Sequence, residues 1–91
     1  MRYEVRQSAR FKRDLKTAMK RGYDIDRLEA VVDLLANGMT LPLKNRDHDL
    51  TGDRRGYREC HITPDWLLIY QHRESEVVLC LFRTGTHSDP F

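Results

Sequence analysis

The chain is poor in cysteine and has no long apolar run, and each shortage excludes a class of protein. Its 91 residues include two cysteines, too few for a disulfide framework, and the apolar neighbours of Cys60 and Cys80 indicate buried free thiols. No apolar stretch approaches the roughly 20 residues that a membrane helix needs. Residues 1–4 also lack the apolar segment of a signal peptide. We therefore expect a cytoplasmic protein with no membrane partner.

Net charge is also small, and its distribution is more informative than its sum. Sixteen Lys and Arg against fourteen Asp and Glu give a formal charge of +2, which excludes a histone-like tail. The N-terminal stretch, however, contains only Glu4 and Asp14 as acids. Its basic residues are Arg2, Arg6, Arg10, Lys12, Arg13, Lys16, Lys20 and Arg21. Such a stretch is either a footprint for a polyanion or the solvated face of a helix.

Repeats, low-complexity segments and a second domain are absent from the sequence, so we predict one domain over residues 1–91. A polar–apolar alternation predicts a strand over residues 2–6. Ser8 is a good N-cap for a helix whose apolar face carries Phe11, Leu15, Ala18 and Met19 and which Gly22 ends. A second helix runs from the cap at Asp24 to Asn37-Gly38, and the short connection predicts an antiparallel helical hairpin.

The second half of the chain predicts an irregular segment followed by three antiparallel strands. Residues 39–56 contain turn-forming residues and no apolar period. Strands are predicted over residues 57–62, 66–72 and 77–84. The last is apolar on both faces, which is typical of an interior strand. The predicted fold is α+β, with the N-terminal strand and the two-helix hairpin packed on a mostly antiparallel sheet.

Three of the four histidines lie near the ends of these segments, together with an arginine and an aspartate. They are His48, His61, His87, Arg83 and Asp65. An imidazole titrates near neutral pH, with a reference pKa of about 6.5, and a guanidinium binds phosphate through a fixed fork. This set suggests proton transfer at a phosphodiester. The same ligand types could form a zinc site, although HxH or HxxxH spacing is absent.

Four ordered segments carry a family resemblance. They are Arg46-Asp47-His48-Asp49-Leu50-Thr51-Gly52, Gly56-Tyr57-Arg58-Glu59-Cys60-His61-Ile62, Pro64-Asp65-Trp66-Leu67-Leu68-Ile69-Tyr70, and Phe82-Arg83-Thr84-Gly85-Thr86-His87 with terminal Phe91. Together they resemble the YafQ branch of the RelE-type toxins, which are ribosome-dependent mRNA endonucleases of bacterial toxin–antitoxin pairs. Asp49 departs from the pattern, since an apolar residue or proline is expected there, and this extra carboxylate could tune His48.

The resemblance implies a RelE-like fold, a cognate antitoxin, ribosome and mRNA as partners, and operator DNA bound only through the antitoxin. It implies no cofactor and no metal. The catalytic positions that carry over are His48, His61, Asp65, Arg83, His87 and Phe91, with Trp66 beside them. We further expect RNA contacts from Trp66, Lys12, Arg13, Lys16 and Arg46.

Metal-independent cleavage by the 2′-OH needs a base, an acid and stabilisation of the phosphorane charge. We assign His87 as acid, His48 or His61 as base, and Asp65 as orienter or base. Arg83 faces the non-bridging oxygens, and Phe91 and Trp66 offer rings on which a base could stack.

Each of these residues also has an ordinary structural alternative. His61 could be a hydrogen-bonding strand residue, Trp66 core, Phe91 a terminal plug and Asp65 a turn residue, and Arg83 could pair with Glu59 or Asp65. The alternative function is a non-catalytic binding module of the RelE/ParE fold, either a gyrase poison or an antitoxin-bound co-repressor.

Overall fold

The computed structural model describes residues 2–87, which form two helices and a five-stranded sheet. The elements in chain order are β1 (Glu4–Gln7), α1 (Ala9–Lys20), α2 (Ile25–Ala36), β2 (His48–Asp49), β3 (Arg58–Thr63), β4 (Trp66–Arg73) and β5 (Val78–Thr86). Short 3₁₀ turns at Leu43–Asn45 and Gly52–Arg54 flank β2. The predicted α+β class, with a strand and a helical hairpin preceding the antiparallel strands, is confirmed.

Both helices begin where the sequence predicts. The Ser8 hydroxyl accepts a hydrogen bond from the Phe11 amide at 2.9 Å, and the Asp24 carboxylate accepts one from the Asp26 amide at 3.1 Å. Each cap satisfies an amide that has no partner within the helix. Gly22 follows α1 with φ of +76°, a left-handed conformation that glycine adopts without steric cost. The chain can therefore turn sharply into α2.

The strands are arranged in the order β1-β5-β4-β3-β2. β1 is parallel to β5, and the other neighbours are antiparallel. The helical hairpin carries the chain from β1 at one edge of the sheet to β2 at the other. β5 lies between β1 and β4, so the prediction of an interior strand is confirmed. The β4–β5 pairing shifts register between Ile69 and Tyr70, which leaves Phe82 as an extra residue in β5.

The helices cover one face of the sheet, where alternate strand residues form the core. The sheet contributes Cys60, Ile62, Trp66, Leu68, Tyr70, Leu79 and Leu81 to this cluster, and the helices contribute Phe11, Ala18, Leu28, Val31, Leu35 and Ala36. Both cysteines are free thiols, as predicted, with Cys60 fully buried and Cys80 half-buried. No helix within residues 2–87 is long and apolar enough to cross a membrane.

Two local predictions were wrong. The segment over residues 39–56 is not wholly irregular, because β2 pairs His48 with Glu59 and Asp49 with Arg58. Such a short polar strand has no apolar alternation to reveal it. Met19, assigned to the buried face of α1, is 59% exposed, since it lies in the last turn.

Candidate active site

The face of the sheet opposite the helices holds the predicted histidines of β3 and its neighbour β2. Successive side chains of a strand point to opposite faces. Cys60 and Ile62 belong to the helix-covered core, so Glu59 and His61 lie on the other face. We call this face the open face.

His61, Asp65 and His87 converge at one end of the sheet. The rings of His61 and His87 lie with their centroids 5.8 Å apart at an interplanar angle of 49°. Nδ1 of His87 lies 3.4 Å from Oδ1 of Asp65, and these side chains are 60% and 75% exposed. The turn between β3 and β4 and the end of β5 therefore bring together residues 26 positions apart along the chain (61 to 87) on an accessible surface.

Hydrogen-bond partners fix the proton positions on the two rings. Nδ1 of His61 lies 3.2 Å from the carbonyl oxygen of Pro64. A carbonyl or carboxylate oxygen only accepts, so Nδ1 carries the proton in His61, and likewise in His87 where it faces Asp65. The neutral form of either ring then offers Nε2 as an acceptor. This arrangement suits one ring to accept a proton through Nε2 and the other, which lies against Asp65, to donate one.

His48 lies on the neighbouring strand β2, where it pairs with Glu59 of β3. Its Nδ1 is 2.7 Å from the carbonyl oxygen of Arg46, and its Nε2 is 3.4 Å from Oε1 of Glu59. Both ring nitrogens of His48 therefore face acceptor oxygens. Glu59 precedes His61 by two residues on the same face, roughly 7 Å along the strand.

The Asp47 side chain holds the segment that carries His48 to the rest of the sheet. Oδ1 of Asp47 accepts hydrogen bonds from the Tyr70 hydroxyl at 2.5 Å and from Arg58 Nε at 3.3 Å. Burial, together with the bond to Asp47, raises the pKa of Tyr70 above its ordinary value. Burial alone would lower the pKa of Arg58, but its bonds to Asp47 and Tyr70 outweigh that effect and raise it. The phenol and the guanidinium both stay protonated at neutral pH.

Asp49, the departure from the family pattern, pairs with Arg58. Its Oδ1 accepts a hydrogen bond from Arg58 Nη1 at 2.6 Å. Neighbouring residues of a strand point to opposite sides, so the side chain of Asp49 joins the Asp47–Arg58 group while His48 faces Glu59.

Arg83 is paired, though with neither of the expected partners. Its Nε and Nη2 donate to the two carboxylate oxygens of Asp14 on α1, at 2.9 and 3.2 Å, and the two side chains are 12% and 16% exposed. The expected pairs with Glu59 or Asp65 are therefore corrected. The strand register still sets Arg83 opposite Ile69 and Ile69 opposite Glu59, so Arg83 lies in the same row of the sheet as the His48–Glu59 pair.

The expectation that Trp66 stacks on RNA is wrong in this structure. Trp66 is 3% exposed and belongs to the core, where its ring packs against Tyr23 with centroids 5.1 Å apart. The indole Nε1 is buried and has no hydrogen-bond partner among residues 2–87. Trp66 instead fixes the turn from which Asp65 projects.

The remaining predicted positions are at the surface or outside the described residues. Lys12, Arg13, Lys16 and Arg46 are exposed, and Phe91 lies outside the described range. The fourth histidine, His72, makes only structural contacts that the sequence left unassigned: Nε2 lies 2.8 Å from the Leu35 carbonyl oxygen, and the ring packs on Tyr3. Within residues 2–87, no group of three or more His, Cys, Asp or Glu side chains is close enough to hold a metal ion.

The family described as bacterial toxin of type II toxin-antitoxin system, YafQ, matches residues 3–91, which is nearly the whole chain. The chain belongs to the YafQ family of toxins. It is 38% identical over 89 residues to the mRNA interferase toxin YafQ of Escherichia coli K12, covering 97% of this chain and 95% of that protein.

Solved structures of similar toxins share this fold. YafQ in the E. coli DinJ–YafQ toxin–antitoxin complex is 37% identical, with a TM-score of 0.86, over 97% of this chain and 96% of that one. A metal-bound toxin from Helicobacter pylori is 42% identical, with a TM-score of 0.91, over 98% of this chain and 99% of that one.

Sequence reasoning missed three contributors to the site: Glu59, Asp14 and the Asp47–Tyr70 pair. Glu59 was detectable, since it precedes His61 by two residues and so shares its face. Asp14 gave no signal among its basic neighbours. Tyr70 was indistinguishable from an ordinary aromatic core residue.

Proposed function

We propose that this chain cleaves mRNA on the ribosome by metal-independent acid–base chemistry. Its endoribonuclease activity and its role as the toxin of a type II pair follow from family membership, since relatives of nearly equal length are mRNA interferase toxins. A cognate antitoxin is its partner, as DinJ is for YafQ of E. coli. Operator DNA is bound only through that antitoxin, and the toxin acts in the cytoplasm, where translating ribosomes are found.

The observation that carries the mechanism is the surface cluster of half-buried His61 with the exposed Asp65 and His87. In the proposed reaction, Nε2 of His61 takes the proton from the 2′-OH, whose oxygen attacks the adjacent phosphorus. His87, held by Asp65, donates a proton to the departing 5′-oxygen. The products are a 2′,3′-cyclic phosphate and a 5′-hydroxyl. Each positioned proton transfer contributes about 10²–10⁴-fold.

Charge on the phosphorane is the second requirement. His48 beside Glu59, and Arg83 in the same row of the sheet, are the hydrogen-bond donors assigned to the non-bridging oxygens. One well-aimed donor of this kind contributes about 10²–10³-fold. Phe91 keeps the role implied by the resemblance, as a ring on which a base stacks. The exposed Lys12, Arg13, Lys16 and Arg46 are assigned to RNA phosphates, where contacts add affinity without sequence preference.

The test is induced expression without antitoxin, followed by mapping of mRNA 5′ ends. We expect growth arrest and cuts clustered in frame at translated codons. His61→Ala and His87→Ala should abolish both while leaving the circular dichroism spectrum unchanged, because these rings lie at the surface.

His72→Gln is the matched control, since an amide can still donate to the Leu35 carbonyl. It should arrest growth as the wild type does. Growth arrest without mRNA cuts would favour the non-catalytic binding module, and a folded His87→Ala chain that still cuts mRNA would refute the assignment.

A further inference from the structure

Asp14 is the only acid in α1, whose sequence is otherwise apolar, neutral or basic. A helix with Arg10, Lys12, Arg13 and Lys16 around this position attracts a carboxylate electrostatically, yet Asp14 does not pair with any of them in the contacts described above. It turns inward and is 16% exposed. Asp14 therefore makes contacts inside the fold and is not part of the solvated face of α1.

Three donors from β5 converge on the Asp14 carboxylate. Arg83 provides Nε at 2.9 Å and Nη2 at 3.2 Å, and the backbone amide of Thr84 donates at 3.1 Å. Two parallel bonds between a guanidinium and a carboxylate set both the position and the plane of the guanidinium. The Thr84 bond fixes the carboxylate to the same strand.

The strand register explains why β5 needs this partner. β1 ends at Gln7, which pairs with Leu81, so β5 loses its neighbour on that edge from Phe82 onward. The Ser8 hydroxyl then donates to the Phe82 carbonyl oxygen at 2.7 Å, and Asp14 accepts from Thr84. The register shift at Phe82 occurs at the same point, and a bulge of this kind redirects the following side chain.

We propose that Asp14 is a positioning residue for cleavage, which holds Arg83 in the orientation that meets the phosphate. This inference rests on the proposed function, in which Arg83 stabilises the phosphorane. Asp14 touches neither RNA nor the reacting atoms and acts through Arg83 alone. Because misplacement of a catalytic group by about 1 Å can cost on the order of 10²-fold, loss of Asp14 should slow the chemical step more than it weakens binding.

The experiment measures cleavage of mRNA on programmed ribosomes by the purified full-length toxin, well below the melting temperature of each variant. We expect Asp14→Asn to lower kcat by about 10- to 10²-fold with little change in KM, and Asp14→Glu to recover part of the loss. In a double-mutant cycle, Asp14→Asn should add little to Arg83→Ala, because its effect needs Arg83. Asp33→Asn, which breaks the exposed pair with Arg2, is the control and should leave kcat unchanged.

Wild-type kcat in folded Asp14→Asn would overturn the inference, as would a faster variant or losses that add in the double mutant. If Asp14→Asn does not fold, Asp14→Glu decides: a lower kcat at unchanged KM is expected, and wild-type kinetics would refute the inference. A wild-type chain that leaves mRNA intact on ribosomes would overturn the proposed function and this inference with it. An active wild type with an equally active variant overturns this inference alone.

Discussion

Replacing Asp47 with alanine tests whether strand β2, which carries His48, is held by the bonds of Asp47 to Tyr70 and Arg58. Tyr70 is 1% exposed, and its hydroxyl donates to Asp47 at 2.5 Å. In Asp47→Ala the hydroxyl of this almost fully buried residue loses the carboxylate to which it donates. Arg58 loses one of its two acidic partners and keeps Asp49.

The expected cost follows from these contacts. A hydrogen bond to a charged group contributes about 1.5–3 kcal/mol, and a buried hydroxyl left without a partner costs about 1–3 kcal/mol. Both figures describe the loss of the same Tyr70–Asp47 hydrogen bond, so they are not added. The Arg58–Asp47 pair, with side chains 36% and 21% exposed, adds about 0–1 kcal/mol because solvent screens it. We expect Asp47→Ala to lower the free energy of unfolding by about 2–4 kcal/mol.

Urea denaturation followed by circular dichroism measures this change, and a double-mutant cycle with Tyr70→Phe isolates the hydrogen bond. In the Tyr70→Phe background no hydroxyl is left unpaired, so Asp47→Ala should cost less, with a coupling of about 1–2 kcal/mol. Asp53→Ala, at an exposed position in the same loop, is the control and should change stability by less than about 0.5 kcal/mol. A loss below that value in Asp47→Ala, or additive losses in the cycle, would refute the anchoring argument.

Three further predictions concern pH, docking and metal. Burial raises the pKa of Cys60 to about 12 from an ordinary 9.0, and that of Tyr70 is also raised. A group whose pKa is higher in the folded state than in the unfolded state contributes stability that is fully present below the unfolded-state pKa. This contribution is lost as the pH rises through the folded-state pKa. Urea stability should therefore be level near neutral pH and fall above about pH 9, and Cys60→Ala should reduce that fall; an unchanged slope would contradict the argument. Replacing Lys12, Arg13 and Lys16 with Gln should weaken ribosome co-sedimentation and flatten its salt dependence. Unchanged sedimentation indicates a solvated face, and weaker antitoxin binding with preserved toxicity indicates an antitoxin surface. Cleavage should survive EDTA when excess magnesium keeps ribosomes intact, since the proposed steps are proton transfers; loss restored only by zinc would overturn the metal-free mechanism.

Elements defined by burial could be predicted from the sequence, and elements defined by polar pairing could not. α1, α2 and β3 alternate apolar and polar residues with the period of their secondary structure, because one face of each is buried, whereas β4 and β5 carry continuous apolar runs because both of their faces are largely buried. β2 is held by backbone pairing to Glu59 and Arg58 and by the Asp47 side chain. These interactions leave no periodic trace in a two-residue segment.

The site residues show the same division. The ordered motifs and the family resemblance identified His48, His61, Asp65 and His87, and strand geometry then accounts for their accessible positions. Trp66 was misjudged because a tryptophan beside the predicted catalytic Asp65 is equally consistent with stacking on RNA and with packing in the core. The choice depends on whether another element covers the ring, and here Tyr23, from the connection between the helices, does so.

The Asp14–Arg83 pair marks where sequence reasoning ends, because it joins residues 69 positions apart in elements of different type. Charge patterning alone assigns Asp14 to the solvated face of a basic helix. Its actual position depends on where β1 stops, since the Thr84 amide needs a partner only because β1 ends opposite Leu81. A β1 one pair longer would extend toward that edge and compete with α1 for it. The orientation of a proposed catalytic arginine is thus set by the length of a strand on the far side of β5, which links the register of the sheet to the chemistry of the open face.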